Sequence, residues 1–260
     1  MKGIAVGMSM LHCLNQPFSS LLRRLETLER TDVELIDDGW HTLDRDRIRQ
    51  LLEIGRSRRL RFSVHAPFIS LNIASPVDAM RDFFLKRLQK SIKAARLLEC
   101  TLMVIHPGMR TGLSPLFPGL DWQTNLESTR KVLSAAEDCG VKITVENCPS
   151  KYGFLLSSVE EFRRFFDELG EDVDLAFDVG HSNLNEQTLA LIEAFGEKIV
   201  HIHAHDNDGV DDTHAAVGCG SLDWKLLAEN VKNVGFKGTM IVESYSGIEE
   251  SMRTLRSVFS

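Results

Sequence analysis

Residues 102–147, LMVIHPGMRTGLSPLFPGLDWQTNLESTRKVLSAAEDCGVKITVEN, contain the pattern that decides the fold. The stretch has a short apolar run at 102–105 and another at 142–145, and each has the length of a buried strand. Between them, residues 122–138 repeat apolar side chains at three- and four-residue spacing, which is typical of an amphipathic helix. This segment is therefore predicted to form one strand–helix–strand unit.

The same alternation continues on both sides of this unit. Further strands are predicted at 3–8, 32–36, 60–64, 174–177, 198–203 and 238–242, and further helices at 18–28, 44–56, 78–98, 158–169, 186–195, 223–233 and 248–258. Eight such repeats are typical of a closed parallel barrel, whereas an open doubly wound sheet usually has fewer units and a glycine-rich first turn. No linker interrupts the chain. We therefore expect the fold class α/β, with a single (β/α)8 TIM-barrel domain at residues 1–260.

Composition and charge favour a soluble protein that binds small molecules. The 260 residues carry a formal net charge of −7, which argues against tight, non-specific nucleic-acid binding. No window contains eighteen uninterrupted apolar residues and no signal-peptide pattern opens the chain, so we expect a cytoplasmic protein with no membrane partner. The five cysteines form no CxxC pair, and neither a disulfide framework nor a zinc ribbon is predicted.

Six successive predicted strands end in a histidine or an acidic residue. In a parallel barrel these ends surround one mouth, where the chemistry of such folds is located. A single histidine there would more often be a hydrogen-bonded core residue, but imidazoles and carboxylates crowded together repel and desolvate one another unless cations neutralise them. Mixed nitrogen and oxygen ligands suit Zn, Mn, Fe or Co. The candidates are His65, His106, Glu146, Asp178, His181, His203, Asp206, Asp212, His214 and Glu243.

Other histidines near the mouth are weaker candidates. The two-residue period of the seventh strand places His201, His203 and His205 on one face. We expect His201, the deepest of the three, to be a hydrogen-bonded interior residue, whereas His205 could orient a metal ligand. We expect His12 and His41 to lie in solvated loops.

The motifs HAPF at 65–68, HPG at 106–108, EN at 146–147 and DVGH at 178–181 occur in an informative order. They are followed by HIHAHDNDG at 201–209, DTH at 212–214 and VE at 242–243. Each motif is weak by itself, but the series resembles the xylose isomerase-like TIM barrel superfamily from about residue 3 to residue 245. That superfamily includes sugar phosphate isomerases and epimerases and endonuclease IV, of AP endonuclease family 2.

The resemblance implies one to three divalent ions per chain, Zn or Mn. In endonuclease IV, three zinc ions are held by residues that match positions of this chain. The first ion is bound by those matching His65, His106 and Glu146, and the second by those matching Glu146, Asp178, His203 and Glu243. The third is bound by those matching His181, Asp212 and His214. In the isomerases and epimerases, the residues matching Glu146, Asp178, His203 and Glu243 hold a single ion. The preferred hypothesis is a metal-dependent isomerase or epimerase of a small sugar, sugar phosphate or related hydroxy-carbonyl compound. Proton transfer would pass through an enediolate, with Glu146 and Glu243 as the catalytic acid–base pair.

The alternative hypothesis is an endonuclease IV-like zinc-dependent phosphodiester hydrolase, an abasic-site endonuclease with nucleic acid as its partner. This hypothesis explains the full ligand set better. It explains the loops less well, because a DNA enzyme usually neutralises several phosphates with Lys and Arg. The charged residues of DNDGVDD at 206–212 are all acidic, and the loop at 65–76 contains no Lys or Arg. A barrel that binds a metal or metabolite without turning it over is a third alternative. The oligomeric state is left open.

Overall fold

Eight parallel strands form a closed barrel in which each strand pairs with its neighbours in chain order. The structure, a computed structural model, describes residues 4–100 and 102–260. The strands are β1 (Ala5–Ser9), β2 (Asp32–Ile36), β3 (Arg61–His65), β4 (Leu102–Ile105), β5 (Lys142–Glu146), β6 (Asp174–Asp178), β7 (Ile199–Ala204) and β8 (Thr239–Val242). Pairing of β8 with β1, from Ala5 opposite Thr239 to Met8 opposite Val242, closes the barrel. The predicted fold class is confirmed; residue 3, where the first strand was predicted to begin, lies outside the described residues.

Helices connect successive strands on the outside of the barrel. They are α1 (Phe18–Glu26), α2 (Arg45–Arg58), α3 (Asp78–Leu97), α4 (Leu120–Glu137), α5 (Val159–Leu169), α6 (Val179–Leu184), α7 (Thr188–Phe195), α8 (Trp224–Asn233) and α9 (Ile248–Val258). All except α6 occupy predicted positions within a few residues. None of those in the described ranges combines the length and apolar character needed to cross a bilayer.

The short helix α6 is the main departure from the predicted elements, which include neither a strand nor a helix at residues 178–185. It begins directly after β6, and the Asp178 carboxylate caps it by accepting a hydrogen bond from the His181 backbone N–H at 2.6 Å. A six-residue helix that contains a glycine has too few turns for an apolar period to be visible. Its consequence is that Asp178 and His181 are held at a helix N-terminus on the barrel mouth.

The apolar core lies between the strands and the surrounding helices. Its largest fully buried side chains include Phe162 and Phe165 of α5, Phe177 of β6 and Leu88 of α3. The inside of the barrel, by contrast, also contains charged side chains. The carboxylate of Glu34 on β2 lies 2.9 Å from His201 on β7, although these strands are not neighbours, so both side chains cross the barrel interior.

Candidate metal centre at the barrel mouth

Four buried groups converge where β5 to β8 end. Glu146 and Asp178 are the last residues of their strands, His203 is near the end of β7, and Glu243 follows β8 directly. The Nδ1 atom of His203 lies 3.2 Å from Glu146, 3.3 Å from Glu243 and 3.7 Å from Asp178. One ligand atom from each residue lies within 4.8 Å of the others. These four residues are called the central group below.

Two further histidines face the other oxygen of Glu146. The Nε2 atoms of His65, the last residue of β3, and of His106, which follows β4, lie 3.2 and 3.3 Å from Glu146 Oε2. His65 Nδ1 lies 2.8 Å from the Ala66 carbonyl. When Nδ1 carries the proton and donates it to this carbonyl, the lone pair is on Nε2, the nitrogen that faces Glu146. Glu146 therefore joins the central group to a second group, formed with His65 and His106.

A third group lies nearer the surface and contains His181, His205, Asp212 and His214. Asp212 Oδ2 lies 3.3 Å from His181 Nε2 and 3.4 Å from His214 Nε2. The Nδ1 atoms of these two histidines contact the backbone carbonyls of Asn147 and Glu243, at 3.0 and 2.7 Å. As at His65, this contact fixes the tautomer and directs Nε2 at a carboxylate.

His205 belongs to this third group, although it was predicted only as a possible orienting residue. Its Nε2 lies 3.1 Å from Asp178 Oδ1, and its ring stacks on His214 with centroids 3.8 Å apart. Gly180 permits this position, because a Cβ atom there would lie only 2.0 Å from the His205 ring. His205 thus links the third group to the central group through Asp178.

Charges within the centre shift the pKa of several groups in opposite directions. Burial alone would raise the pKa of Glu146, but the adjacent His203 and His106 hold it well below its usual range. Burial opposes the charged form of His65, yet the hydrogen bond and charge of Glu146 raise its pKa to about 9. The pKa of His203 is also raised well above its usual value, against burial, by Glu243 and Glu146. Positive charge is therefore favoured at this position in the barrel.

The donor set fits a divalent cation. Ionised carboxylates and imidazole nitrogens with fixed tautomers are the ligands that Zn and Mn accept. Four buried atoms of the centre have no hydrogen-bond partner among the described residues: His106 Nδ1, His203 Nε2, His205 Nδ1 and Asp212 Oδ1. A cation could replace the protons that otherwise balance these carboxylates, since metal binding to such residues releases protons.

Glu34 is a buried acidic residue beside the central group that the sequence analysis missed. Its Oε2 atom accepts hydrogen bonds from His201 Nε2 at 2.9 Å and from Ser63 Oγ at 3.1 Å, and its Oε1 atom lies 2.9 Å from His203 Nε2. Burial alone would raise its pKa, but His203 and His201 lower it well below the usual range. The available signal was a single acid between apolar residues in DVELI at 32–36. His201 is buried and hydrogen-bonded, as predicted.

Three other candidates lie elsewhere or have structural partners. Asp206 accepts hydrogen bonds from Trp224 Nε1 at 2.8 Å and the Gly218 N–H at 3.0 Å, so it holds a loop together. The expectation of a solvated loop is wrong for His41. Its ring is buried because it packs against Phe18, and it is hydrogen-bonded to the Gln16 carbonyl. His12 is half-buried and contacts the Ser9 carbonyl.

The surroundings of the centre are aromatic and acidic. The rings of Phe68 and Phe154 each lie 5.4 Å from that of His106, and the half-exposed Tyr245 lies 4.9 Å from His214. Two basic side chains of the adjoining loops are paired. Lys151 contacts Asp211 and the Val210 carbonyl, and Arg110 contacts Glu161 and the Phe154 carbonyl.

Known proteins share both the fold and the sequence pattern. The sequence model of the xylose isomerase-like TIM barrel family matches residues 22–258. A crystal structure of a D-tagatose 3-epimerase-like protein is 28% identical and superimposes with a TM-score of 0.88, over 98% of this chain and 97% of that one. An uncharacterised protein of Methanocaldococcus jannaschii is 28% identical over 92% of this chain and 83% of its own length.

A sugar epimerase is matched over a shorter region. The D-psicose 3-epimerase of Enterocloster bolteae is 25% identical over 46% of this chain and 39% of its own length, so less than half of that enzyme is covered. The family match, in contrast, includes seven of the eight strands in full, from β2 to β8. This chain belongs to the xylose isomerase-like TIM barrel family.

Proposed function

We propose that this protein is a divalent-metal-dependent isomerase or epimerase that acts on a small sugar or related hydroxy-carbonyl compound through an enediolate. The observation that carries the proposal is the central group, in which Glu146 and Glu243 lie 3.2 and 3.3 Å from the same nitrogen of His203. The likeness to the D-tagatose 3-epimerase-like protein supports it. We propose Glu146, Asp178, His203 and Glu243 as the ligands of the ion.

Glu146 and Glu243 are proposed as the acid–base pair. A divalent ion in the central group would stabilise the negative charge that develops on substrate oxygens when a proton leaves the neighbouring carbon. One carboxylate would remove this proton, and the other would deliver a proton to the opposite face. Ser9 Oγ donates a hydrogen bond to Glu243 Oε1 at 3.3 Å, which helps to hold that carboxylate in place.

The charge of the loops favours uncharged sugars over sugar phosphates. A phosphate group is usually bound by Lys, Arg or free backbone N–H groups. Lys151 and Arg110, which lie in the loops after β5 and β4, are already paired with Asp211 and Glu161. The rings of Phe68 and Phe154 offer apolar surfaces suited to the C–H face of a sugar.

The phosphodiester hydrolase is the second candidate, and the second and third groups favour it. His65, His106 and Glu146 on one side and His181, Asp212 and His214 on the other provide donors for two ions beyond the central one. Such a multinuclear site suits in-line attack on phosphorus. The paired state of Lys151 and Arg110 argues against a DNA substrate, since DNA enzymes neutralise several phosphates with free basic side chains.

Metal content and two activity assays test the proposal together. Protein purified without chelator would be analysed for metal, incubated with ketohexoses in D2O, and incubated with an abasic-site duplex at low salt. We expect one ion per chain, deuterium incorporation at the carbon next to the carbonyl, and intact DNA. Three zinc ions with strand cleavage would instead establish the hydrolase, and a metal-loaded protein that exchanges no substrate proton would reject the epimerase.

A further inference from the structure

Glu34 is a fully buried carboxylate that the proposed proton transfer does not use. It lies in the middle of β2, and both of its oxygens face groups from other strands. His201 and Ser63 donate to Oε2, so only Oε1 faces His203, at 2.9 Å from Nε2. The carboxylate is thereby anchored on Oε2, while Oε1 and His203 Nε2 lie in short contact and have no other hydrogen-bond partner among the described residues.

We propose that Glu34 is a positioning residue that holds the His203 imidazole with Nε2 protonated and Nδ1 free to bind a divalent cation. This inference rests on the proposed role of His203 as a metal ligand. In neutral imidazole one nitrogen carries the proton and the other the lone pair, so a carboxylate beside Nε2 favours the proton there and leaves Nδ1 as the nitrogen that can bind metal. Nδ1 is the nitrogen that faces Glu146, Asp178 and Glu243.

The opposite arrangement would disable the central group. A proton on Nδ1 would occupy the space that a cation needs between the three carboxylates. The lone pair would then be on Nε2, only 2.9 Å from an oxygen of the Glu34 carboxylate. Since His201 and Ser63 hold Oε2, Glu34 cannot readily rotate away from that repulsion. Carboxylates behind metal-binding histidines also increase ligand basicity, and their loss typically lowers metal affinity about 10- to 100-fold.

A purely structural role would have a different signature. The contact of Glu34 with His201 joins β2 to β7 across the barrel, and its removal could reduce stability without affecting metal binding. Asp37 provides a matched control for that effect. It is also a buried carboxylate, lies one residue beyond β2, and is bound by Arg87 at 2.8 Å and Ser91 at 2.6 Å, away from the central group.

The test compares Glu34→Gln with Asp37→Asn. Zinc affinity would be measured by competition with a chelating dye, and the thermal midpoint of each metal-free protein would be recorded. Glu34→Gln should bind zinc about 10- to 100-fold more weakly than the wild type. Asp37→Asn should lower the thermal midpoint but leave zinc affinity unchanged. Equal affinity of Glu34→Gln and the wild type would overturn the positioning role.

Nuclear magnetic resonance of the zinc-loaded, 15N-histidine-labelled protein provides a second readout. The wild type should show His203 with a slowly exchanging proton on Nε2 and zinc on Nδ1, whereas Nε2 bound to zinc would contradict the proposal. If Glu34→Gln does not fold, Ser63→Ala, which removes one anchor of Oε2, should weaken zinc binding in the same direction. A wild type that binds no divalent ion would reject the proposed function itself, whereas normal wild-type binding with unaffected variants would reject only the role of Glu34.

Discussion

Replacement of Gly180 by alanine tests how tightly the centre is packed. An ideal Cβ atom at this position would lie 2.0 Å from Cε1 and 2.4 Å from Nδ1 of His205, well inside the 3.0 Å below which real contacts essentially never occur. His205 would have to move, and its contact with Asp178, at 3.1 Å, would be lost or distorted. The change therefore acts on the third group and, through Asp178, on the central group.

The size of the effect follows from two opposing contributions. Overpacking a dense site costs about 1–3 kcal/mol, while the better helix propensity of alanine in α6 contributes at most about 1 kcal/mol in the other direction. Because a distance of 2.0 Å is a severe overlap, the upper part of the first range applies, about 2–3 kcal/mol, and the expected net destabilisation is about 1–2 kcal/mol. At roughly 2–4 °C per kcal/mol for a chain of this size, the thermal midpoint should fall by about 2–8 °C.

Circular dichroism melting and zinc titration would measure both consequences. Gly112→Ala is the matched control, because a Cβ atom there meets nothing within 4 Å. We expect the control to behave like the wild type and Gly180→Ala to be less stable and to bind zinc more weakly. If the two variants melt at the same temperature and bind zinc equally well, His205 is not confined as described.

Four further predictions concern residues of the centre. Glu243→Gln should abolish sugar turnover while thermal unfolding stays cooperative, because it removes a charge at the mouth and little core volume; retained full activity would refute the site assignment. His214→Ala should abolish cleavage by a trinuclear hydrolase but only reduce turnover by a single-ion epimerase, so total loss in the sugar assay would contradict the single-ion hypothesis. Metal affinity should rise with pH up to about 9, because protonated His65, 3.2 Å from Glu146, repels a cation bound to that carboxylate and loses its charge as pH rises through its pKa of about 9. A flat profile in titrations across this range would disprove that competition. The same raised pKa stabilises the metal-free fold fully below about pH 6.5, and this contribution should be lost as pH rises through about 9.

The strand and helix pattern of this chain could be predicted because its physical causes are local. The run at 102–105 and the period at 122–138 reflect burial on the two sides of β4 and on one side of α4. The ligand candidates could be placed because each follows a recognisable strand. His65, Glu146 and Asp178 are in fact the last residues of theirs.

The contacts that cross the barrel could not be predicted in this way. Glu34 interrupts an apolar strand, but only the closed barrel brings it to His201 and His203. The burial of His41 likewise depends on Phe18 and Gln16, which lie more than twenty residues earlier. His205 entered the third group because Gly180 leaves space for its ring, and spacing along one strand does not show that relation.

The closure of the barrel by β8 and β1 has a consequence for biosynthesis. During translation, Glu146, Asp178 and His203 leave the ribosome before Glu243, which follows the last strand. Until β8 pairs with β1, Glu243 has no fixed position opposite His203, and the central group lacks one of its four members. Binding of the proposed ion should therefore mark the end of folding, and chains truncated before residue 243 should bind zinc more weakly than the full chain.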